Sequence, residues 1–402
     1  MNKVKLGQAV DILDYKRIPV SSAERANREK VYPYYGAQGV VDYIDDYIFD
    51  GEYVLVAEDG NNLKSLSEPI ATWATGRFWV NNHAHIIGDN GTADIRYVYY
   101  YLMASDLRGL ITGSAQPKLN QENLASFELE LPDREAQVKI AEVLRSIDDK
   151  IALNKKMMTE LEDTARLIYD YWFTQFDFPD ENGRPYRSSG GKMVYDETLN
   201  REIPEGWEVG LIGDLGSVVS GATPPTGDSS NYADEGIAWI TPNDLSGNDS
   251  FMHISRGERD VSDAGLASCS AVVMPAGSTI MSSRAPIGYL AVAETACCTN
   301  QGCKSLMADA GYPSYFNFFT VQRLVPFIKS QGVGTTFAEV SKEDFASVRL
   351  ARPPKGMAER FERSVLPLCE KSKRLQQEAV ELSSLRDWLL PMLMNGQVII
   401  DA

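Results

Sequence analysis

Apolar positions along this chain follow two different rhythms, and the switch from one to the other happens twice. Through residues 1 to 133 apolar residues come in short runs, Val40-Val41-Asp42-Tyr43-Ile44, Tyr53-Val54-Leu55-Val56-Ala57 and His85-Ile86-Ile87, broken by Glu58-Asp59-Gly60-Asn61-Asn62 and Asp89-Asn90-Gly91. β-Branched and aromatic residues between such breaks predict strands. Ile95 to Leu107 has the spacing of a helix. From Arg134 mostly apolar residues recur at steps of four and three: Ile140, Leu144, Ile147, Ile151, Asn154, Met158, Leu161, Ala165, Ile168 and Trp172. That heptad seam predicts one long helix over 134–176. A polar stretch with Gly and Pro, 177–206, reads as a linker ordered in parts by its aromatics. Strand-like runs return over 207–353 in Ile237-Ala238-Trp239-Ile240, Ala271-Val272-Val273-Met274 and Tyr289-Leu290-Ala291-Val292-Ala293. A second seam follows over 354–398, through Phe361, Val365, Leu368, Ser372, Leu375, Ala379, Leu382, Arg386, Leu389 and Leu393. Pro367 falls inside it, so that helix is expected to kink or begin near there.

The two halves are copies of one unit. Leu119 to Pro132 lines up without a gap on Val340 to Pro353, and Val4-Lys5-Leu6-Gly7-Gln8-Ala9-Val10 is echoed by Leu211-Ile212-Gly213-Asp214-Leu215-Gly216-Ser217-Val218. Each copy is a globule followed by a helix, and paired units suggest a target that is itself in two parts. The expected fold is α+β: two α/β globules separated by two long helices that form an antiparallel coiled coil, related by a pseudo-twofold axis. At 1.5 Å per residue each seam extends for about 50 Å. The alternative, each helix packing only on its own globule, rarely keeps a heptad phase for so long. Asn154, alone among apolar seam positions, either sets the register at some cost in stability or is a solvated position. Ser372 and Arg386 interrupt the other seam in the same way and mark places where another protein could dock.

Composition adds limits. A chain of 402 residues suits two domains, and 44% apolar with 24% charged residues is the balance of a soluble globular protein. No apolar run approaches the roughly 18 residues of a membrane span, and Met1 to Gln8 turns polar too soon for a signal peptide. Five cysteines without a regular framework fit a reducing cytoplasm. The net charge of −17 predicts that the chain alone would bind a polyanion such as DNA only weakly, and that any such grip would come partly from a partner.

Catalytic templates are missing. Gly332-Val333-Gly334-Thr335-Thr336-Phe337 lacks the third glycine and following helix of a dinucleotide site, and Gly190-Gly191-Lys192 lacks the glycine spacing of a P-loop. His83 and His85 share a strand face, but without a nearby cysteine or clear third ligand no metal site is expected. Cys297, Cys298 and Cys303 read as small core residues. With three histidines and no paired nucleophile and base, no catalysis is expected from this chain.

Along nearly its full length the chain resembles the specificity subunits of type I restriction-modification systems. The resemblance is carried in the second half by Ser220-Gly221-Ala222-Thr223-Pro224, Trp239-Ile240-Thr241-Pro242-Asn243-Asp244-Leu245, Met281-Ser282-Ser283-Arg284-Ala285-Pro286-Ile287-Gly288, Thr299-Asn300-Gln301-Gly302-Cys303-Lys304-Ser305-Leu306 and Gly334-Thr335-Thr336-Phe337. In the first half it rests on Tyr32-Pro33-Tyr34-Tyr35-Gly36-Ala37-Gln38-Gly39, Glu58-Asp59-Gly60 and Asn81-Asn82-His83-Ala84-His85, with Gln38 departing from the family's more usual asparagine. It implies a non-catalytic reader of double-stranded DNA. Each globule is then a target recognition domain for one half of a split, asymmetric site, and the coiled coil is a ruler; half-sites about one helical turn apart lie near 34 Å, within reach of such a rod. Two modification subunits that methylate adenine, and restriction subunits that cleave, are the implied partners. S-adenosylmethionine, ATP and Mg belong to those partners and no cofactor to this chain.

Residues that read DNA should be donors and acceptors on loops. The candidates in the first half are Lys16, Arg17, Tyr34, Tyr35, Asn61, Asn62, Lys64, Arg77, Asn82, His83 and Lys118. Those in the second are Thr223, Thr226, Thr241, Asn243, Ser283, Arg284, Asn300, Gln301 and Lys304. Arg284, just past a strand, suits guanine or a phosphate, against a structural salt bridge; ordinary turn and fold-holding roles stand against the others. A coiled-coil scaffold whose globules bind proteins rather than DNA is the alternative from another class.

Overall fold

The computed structural model describes residues 2–63, 69–113, 117–248, 251–284, 286–332, 338–398 and 400. They form two compact units, Met1–Ile151 with Glu381–Ala402, and Ala152–Val380.

In the first unit a six-stranded sheet runs in the order Asp11–Ile12, Ala84–Gly88, Phe49–Ala57, Ala71–Val80, Tyr32–Gly36, Gly39–Ile44. The run Val54-Leu55-Val56-Ala57 is buried throughout because successive side chains leave opposite faces of the strand. Val54 and Val56 join a core with Leu6, Ile87, Tyr97, Leu124 and Leu144, whereas Leu55 joins Phe49, Ala74, Phe78 and Ile86 on the other face. The helix expected from Ile95 stops at Met103, and Arg108–Leu110 forms a separate short turn. Ser105 Oγ donates back to the carbonyl of Tyr101, and the Asp106 carboxylate accepts from the N–H of Arg108, local bonds that compete with further helix.

The second unit has a five-stranded sheet, Val218–Ser220, Cys303–Leu306, Thr279–Ser282, Leu290–Ala293, His253–Ile254, and a four-stranded one, Tyr232–Ala233, Arg259–Val261, Ile237–Ile240, Cys297–Thr299. The Ala271–Met274 run is not a strand. Only Met274 finds a partner, Cys297, and Val272 and Val273 are exposed, because β propensity is expressed only where another strand is there to pair with. A helix that the pattern did not reveal, Ser314–Ser330, buries Tyr315, Phe316, Phe318, Phe319 and Val321. Continuous burial from Tyr315 to Val321 and a largely exposed second half leave no amphipathic rhythm to find.

Both seams are helical. The first long helix is Arg134–Tyr169, followed by a π turn at Asp170–Thr174; the second is Lys355–Met394. The expectation that the helix begins near Pro367 is corrected, since it begins at Lys355 and continues through that proline. Proline removes a single donor, and Phe361, Val365 and Cys369 on either side are fully buried, so packing outweighs the local loss. Along the first helix Ile140, Leu144, Ile147, Ile151 and Met158 are buried and Leu161 half-buried; along the second Phe361, Val365 and Leu375 are buried and Leu368 and Leu382 half-buried.

Each polar break in the seams meets a polar group of the other helix. Within the second unit Asn154 Nδ2 donates to Glu378 at 2.9 Å and Ser372 Oγ to Glu162 at 2.6 Å, an antiparallel pairing. Within the first, Arg386 donates to Asp148 at 2.8 Å, and Tyr100 donates to the same carboxylate at 2.7 Å. Asn154 is fully buried, so its solvated reading falls.

Past the π turn Phe176 adopts a left-handed φ of 65°, a conformation that costs about 1–3 kcal/mol for a bulky residue. Its fully buried ring meets Trp207 edge-on, and Phe178 stacks on both Trp207 and Tyr186. A hairpin of Met193–Asp196 with Arg201–Pro204 completes this segment.

One contact in the second unit is sensitive to pH. Gln376 of the second long helix brackets the backbone of His253, accepting from its N–H at 3.3 Å and donating to its carbonyl at 2.7 Å. The His253 ring is 2% exposed and bonds Tyr315 Oη, which reaches Glu370. Burial first, and Lys373 second, lower its pKa from 6.5 to about 4. Between those values the unfolded chain takes up a proton that the folded one refuses, so this stability is full above pH 6.5 and lost as pH falls toward 4. The span is worth about 3 kcal/mol at most. Half-buried Glu162 and Glu362, raised by desolvation, act in the opposite sense, which makes a difference measurement necessary. The stability gap between wild type and His253→Gln, followed by denaturant unfolding from pH 7.5 to 4.5, is expected to narrow on acidification; a constant gap would show that the ring does not stay neutral.

Candidate nucleic-acid interface

In each unit a turn that follows the first of two paired strands is laced to a distant segment by main-chain bonds. In the first unit Glu58 N–H donates to the carbonyl of His83 at 2.9 Å and Leu119 N–H to that of Glu58 at 2.9 Å. In the second, Ser283 N–H donates to Gly302 at 2.8 Å and Val340 N–H to Ser283 at 3.0 Å. The neighbouring turns match as well: Asn81 Oδ1 accepts from His83 N–H at 2.8 Å, and Asn300 Oδ1 from Gly302 N–H at 2.9 Å. Isolated bridges Asp59 to Lys118 and Arg284 to Glu339 close the two frames.

The first frame encloses a charged cluster. Arg17 reaches Glu58 at 2.5 Å and Asp14 at 3.3 Å, and Lys118 reaches Glu58 at 2.8 Å. His85, 1% exposed, places Nδ1 2.5 Å from Asp14 and Nε2 2.7 Å from the carbonyl of Leu119. Burial works to raise the Glu58 carboxyl, but hydrogen bonds from Lys118 and Arg17 outweigh it and hold it below the usual carboxylate range. The same bond raises Lys118. Asp14, Glu58 and His85 bring three ligand-type atoms within 4.8 Å of one another. These carboxylates are the near neighbours that the sequence did not reveal for His85; Arg17 and Lys118 already occupy them.

Of the first-unit candidates, the frame gathers Arg17, Asn82, His83 and Lys118. Asn82 and His83 are exposed, and His83 Nδ1 lies 2.7 Å from Asp59. Tyr34 requires correction: it is 1% exposed, and its hydroxyl is tied to both backbone groups of Val20. Asn62 does too, since it is 4% exposed and its amide donates to the carbonyls of Ala37 and Pro69. Both hold loops in place instead of facing outward. Tyr35 is half-buried with its ring edge-on to Phe78, and Lys16 is exposed near the Tyr15 ring. Arg77 pairs with Asp50 at the opposite end of the Phe49–Ala57 hairpin from the frame. Lys64 and the side chain of Asn61 lie outside the described residues.

In the second unit the quoted phrases converge. Ala222 N–H donates to Thr299 at 2.9 Å, and the Thr223 hydroxyl bonds Gln301. A Cβ at Gly221 would stand 2.0 Å from the carbonyl of Thr299, and one at Gly302 2.8 Å from Pro242 and 3.2 Å from Arg284, so glycine is what lets these loops meet. Trp239, Tyr232 and Asn231 each donate to a carbonyl of the 222–225 loop. Ser283 and Lys304 are buried, a correction to their placement on the surface: Lys304 Nζ donates to Ser283 Oγ at 3.1 Å and to the carbonyl of Gln301 at 3.1 Å. Arg284 is 37% exposed and lies 3.9 Å from Glu339, which also meets Lys304 at 3.5 Å. Thr241 caps the helix Pro242–Gly247 in a capping box with Asp244, and Asn300 folds its own turn. Asn243, Gln301 and Thr226 are exposed, Thr226 beside a 580 Å³ pocket with Arg256 and Arg259. The 334–337 phrase and Ala285 lie outside the described residues. Burial pushes the thiols of Cys297 and Cys303 up to about 12, as expected of small core residues.

Asp14, Glu58, Asp59 and Glu339 are not among the candidates read from the sequence, although Glu58 and Asp59 stand in one of the quoted phrases. Extending the aligned repeat by one residue, to Lys118 against Glu339, would have shown opposite charges at matched positions.

Comparison with known proteins agrees with this geometry. The family model described as "Type I restriction modification DNA specificity domain" matches residues 1–163 and 204–360. The MjaIX specificity subunit of Methanocaldococcus jannaschii is 35% identical over 161 residues, 40% of this chain and 37% of that protein. The HindI specificity subunit of Haemophilus influenzae is 23% identical over 349 residues, 75% of this chain and 74% of that one. A putative type I specificity subunit of the same organism is 32% identical over 142 residues, 35% of this chain and 36% of that protein. The match thus spans a little over a third of the MjaIX subunit and of this putative relative. The crystal structure of the type I restriction-modification system S subunit from M. genitalium shares the fold, with a TM-score of 0.62 at 14% identity over 100% of this chain and 96% of that one. Two recognition-type units, a repeated loop frame and a family match over both of them lead to one statement: the chain belongs to the type I restriction modification DNA specificity domain family.

Proposed function

We propose that this chain reads a split, asymmetric DNA site for a type I restriction-modification assembly, one half-site per unit, and has no catalytic role of its own. The observation that carries the reading is the repeated frame. The same backbone lacing presents different side chains in the two units, as two unlike half-sites require. Two modification subunits dock along the long helices and methylate adenine, and restriction subunits join them. S-adenosylmethionine, ATP and Mg act on those subunits. The formal charge of −17 suits a reader whose partners share the clamping of phosphates.

Co-expression with the cognate methyltransferase, followed by genome-wide mapping of methylated adenines, is expected to give one motif of two specified halves around an unread spacer. A single contiguous short site would overturn the reading. Inserting one heptad between Ile151 and Met158 is expected to lengthen the spacer and leave both halves intact; an altered half-site with an unchanged spacer would remove the ruler. Arg284→Ala is expected to weaken discrimination at one position of the second unit's half-site by about 1–3 kcal/mol, and equal loss at both halves would point to folding or phosphate contact.

A further inference from the structure

The two frames can be matched residue by residue, because the same main-chain bonds link the same places. Glu58 corresponds to Ser283, His83 to Gly302 and Leu119 to Val340, through the paired bonds Glu58 to His83 (2.9 Å) with Ser283 to Gly302 (2.8 Å), and Leu119 to Glu58 (2.9 Å) with Val340 to Ser283 (3.0 Å). The strand register agrees. Ala57 faces Ala84 where Ser282 faces Cys303, and Ile12 faces Ile87 where Val218 faces Leu306. The isolated bridge Asp59 to Lys118 is therefore the counterpart of Arg284 to Glu339.

At that bridge the charges are exchanged. The turn residue is an acid in the first unit and a base in the second, and the residue facing it is a base in the first and an acid in the second. All four side chains reach solvent, Asp59 at 36% and Lys118 at 55%, Arg284 at 37% and Glu339 at 43%. Each turn residue is also braced: Asp59 by His83 at 2.7 Å, Arg284 by Glu339 at 3.9 Å. The residues that face them across the bridge are anchored inward in turn, Glu339 to buried Lys304 and Lys118 to buried Glu58.

We propose that this bridge is a base-reading position in both units, with opposite polarity. In the major groove a guanidinium fork matches the O6 and N7 acceptors of guanine, whereas a carboxylate accepts from the N4 amine of cytosine. Arg284 then selects guanine in one half-site and Asp59 selects cytosine in the other. Glu339, Lys118 and His83 are positioning residues, which aim the reading group without touching the base. The proposal rests on the DNA-reading function above and adds Asp59 and Glu339, neither of them among the candidate readers, as specificity determinants.

The test uses the complete methyltransferase complex, with wild type and variants mapped side by side for methylated adenines. Asp59→Asn, close to isosteric, is expected to reduce the preference for cytosine at one position of the first unit's half-site by about ten- to a hundredfold, with the other half-site unchanged. The double exchange Asp59→Arg with Lys118→Glu is expected to shift that position toward guanine. Glu339→Gln is expected to broaden selection at the position read by Arg284 while total methylation is kept. If wild type gives a split motif and Asp59→Asn leaves it unchanged, the bridge does not read bases, although the function proposed above stands. Uniform weakening at all sites would make Asp59 a folding or phosphate-facing residue and equally overturn the inference. A wild-type motif that is not split removes the function itself.

Discussion

Antiparallel pairing between the strand that opens each globule, 1–133 and 207–353, and the strand just before the following long helix is the constraint on which the rest depends. Asn2–Lys5 pairs with Glu128–Leu131, and Glu208–Leu211 pairs with Arg349–Arg352. Immediately beyond these pairs, Leu6 N–H donates to Phe127 at 2.8 Å and Ile212 N–H to Val348 at 2.9 Å. A buried backbone donor left unmatched costs free energy comparable to a lost hydrogen bond, so this closure is strongly favoured once the core forms. It brings the beginning and end of each globule together at the entry to a helix. Everything between, including the reading frame, is then a closed excursion whose loops can vary without moving the helix.

The charge of the chain is consistent with that division. Among the described residues, bases of the frames are already matched, Lys118 by Glu58 and Arg284 beside Glu339, and away from them Arg77 is matched by Asp50. Surface pairs of this kind contribute little to stability. Their effect is to orient, since a guanidinium or ammonium held by a carboxylate presents fewer directions to a ligand than a free one. A face built this way gives up general attraction for phosphate and gains discrimination between bases.

Legibility in the sequence followed how local each signal is. The heptad seams could be read because a helical rhythm depends only on spacing, and the polar seam positions Asn154, Ser372 and Arg386 all turned out to have polar neighbours. Strands such as Tyr53 to Ala57 could be read from an unbroken apolar run. Ala271 to Met274 misled because strand formation needs a partner that spacing cannot reveal, and Ser314–Ser330 escaped because its first half is buried on all sides and its second half largely exposed, which erases periodicity. The candidate readers were harder still. Tyr34, Asn62, Ser283 and Lys304 look in sequence like exposed polar residues of loops, yet each is buried and bonded to backbone or to its neighbours.

That mixture of buried and exposed polar residues within the same phrases follows from how a reading loop has to be built. A side chain that discriminates between bases must keep its geometry before DNA arrives, because ordering it on binding costs roughly 0.5–1.5 kcal/mol per side chain. Lys304 under Ser283 and Glu339, and Arg17 under Glu58 and Asp14, supply that order from below. Such braces are polar because they hold charged groups in place, which apolar packing cannot do at a surface turn. Motif phrases in this family of folds therefore mix residues that read with residues that hold the readers still. The two kinds separate only when burial and hydrogen bonding are seen together.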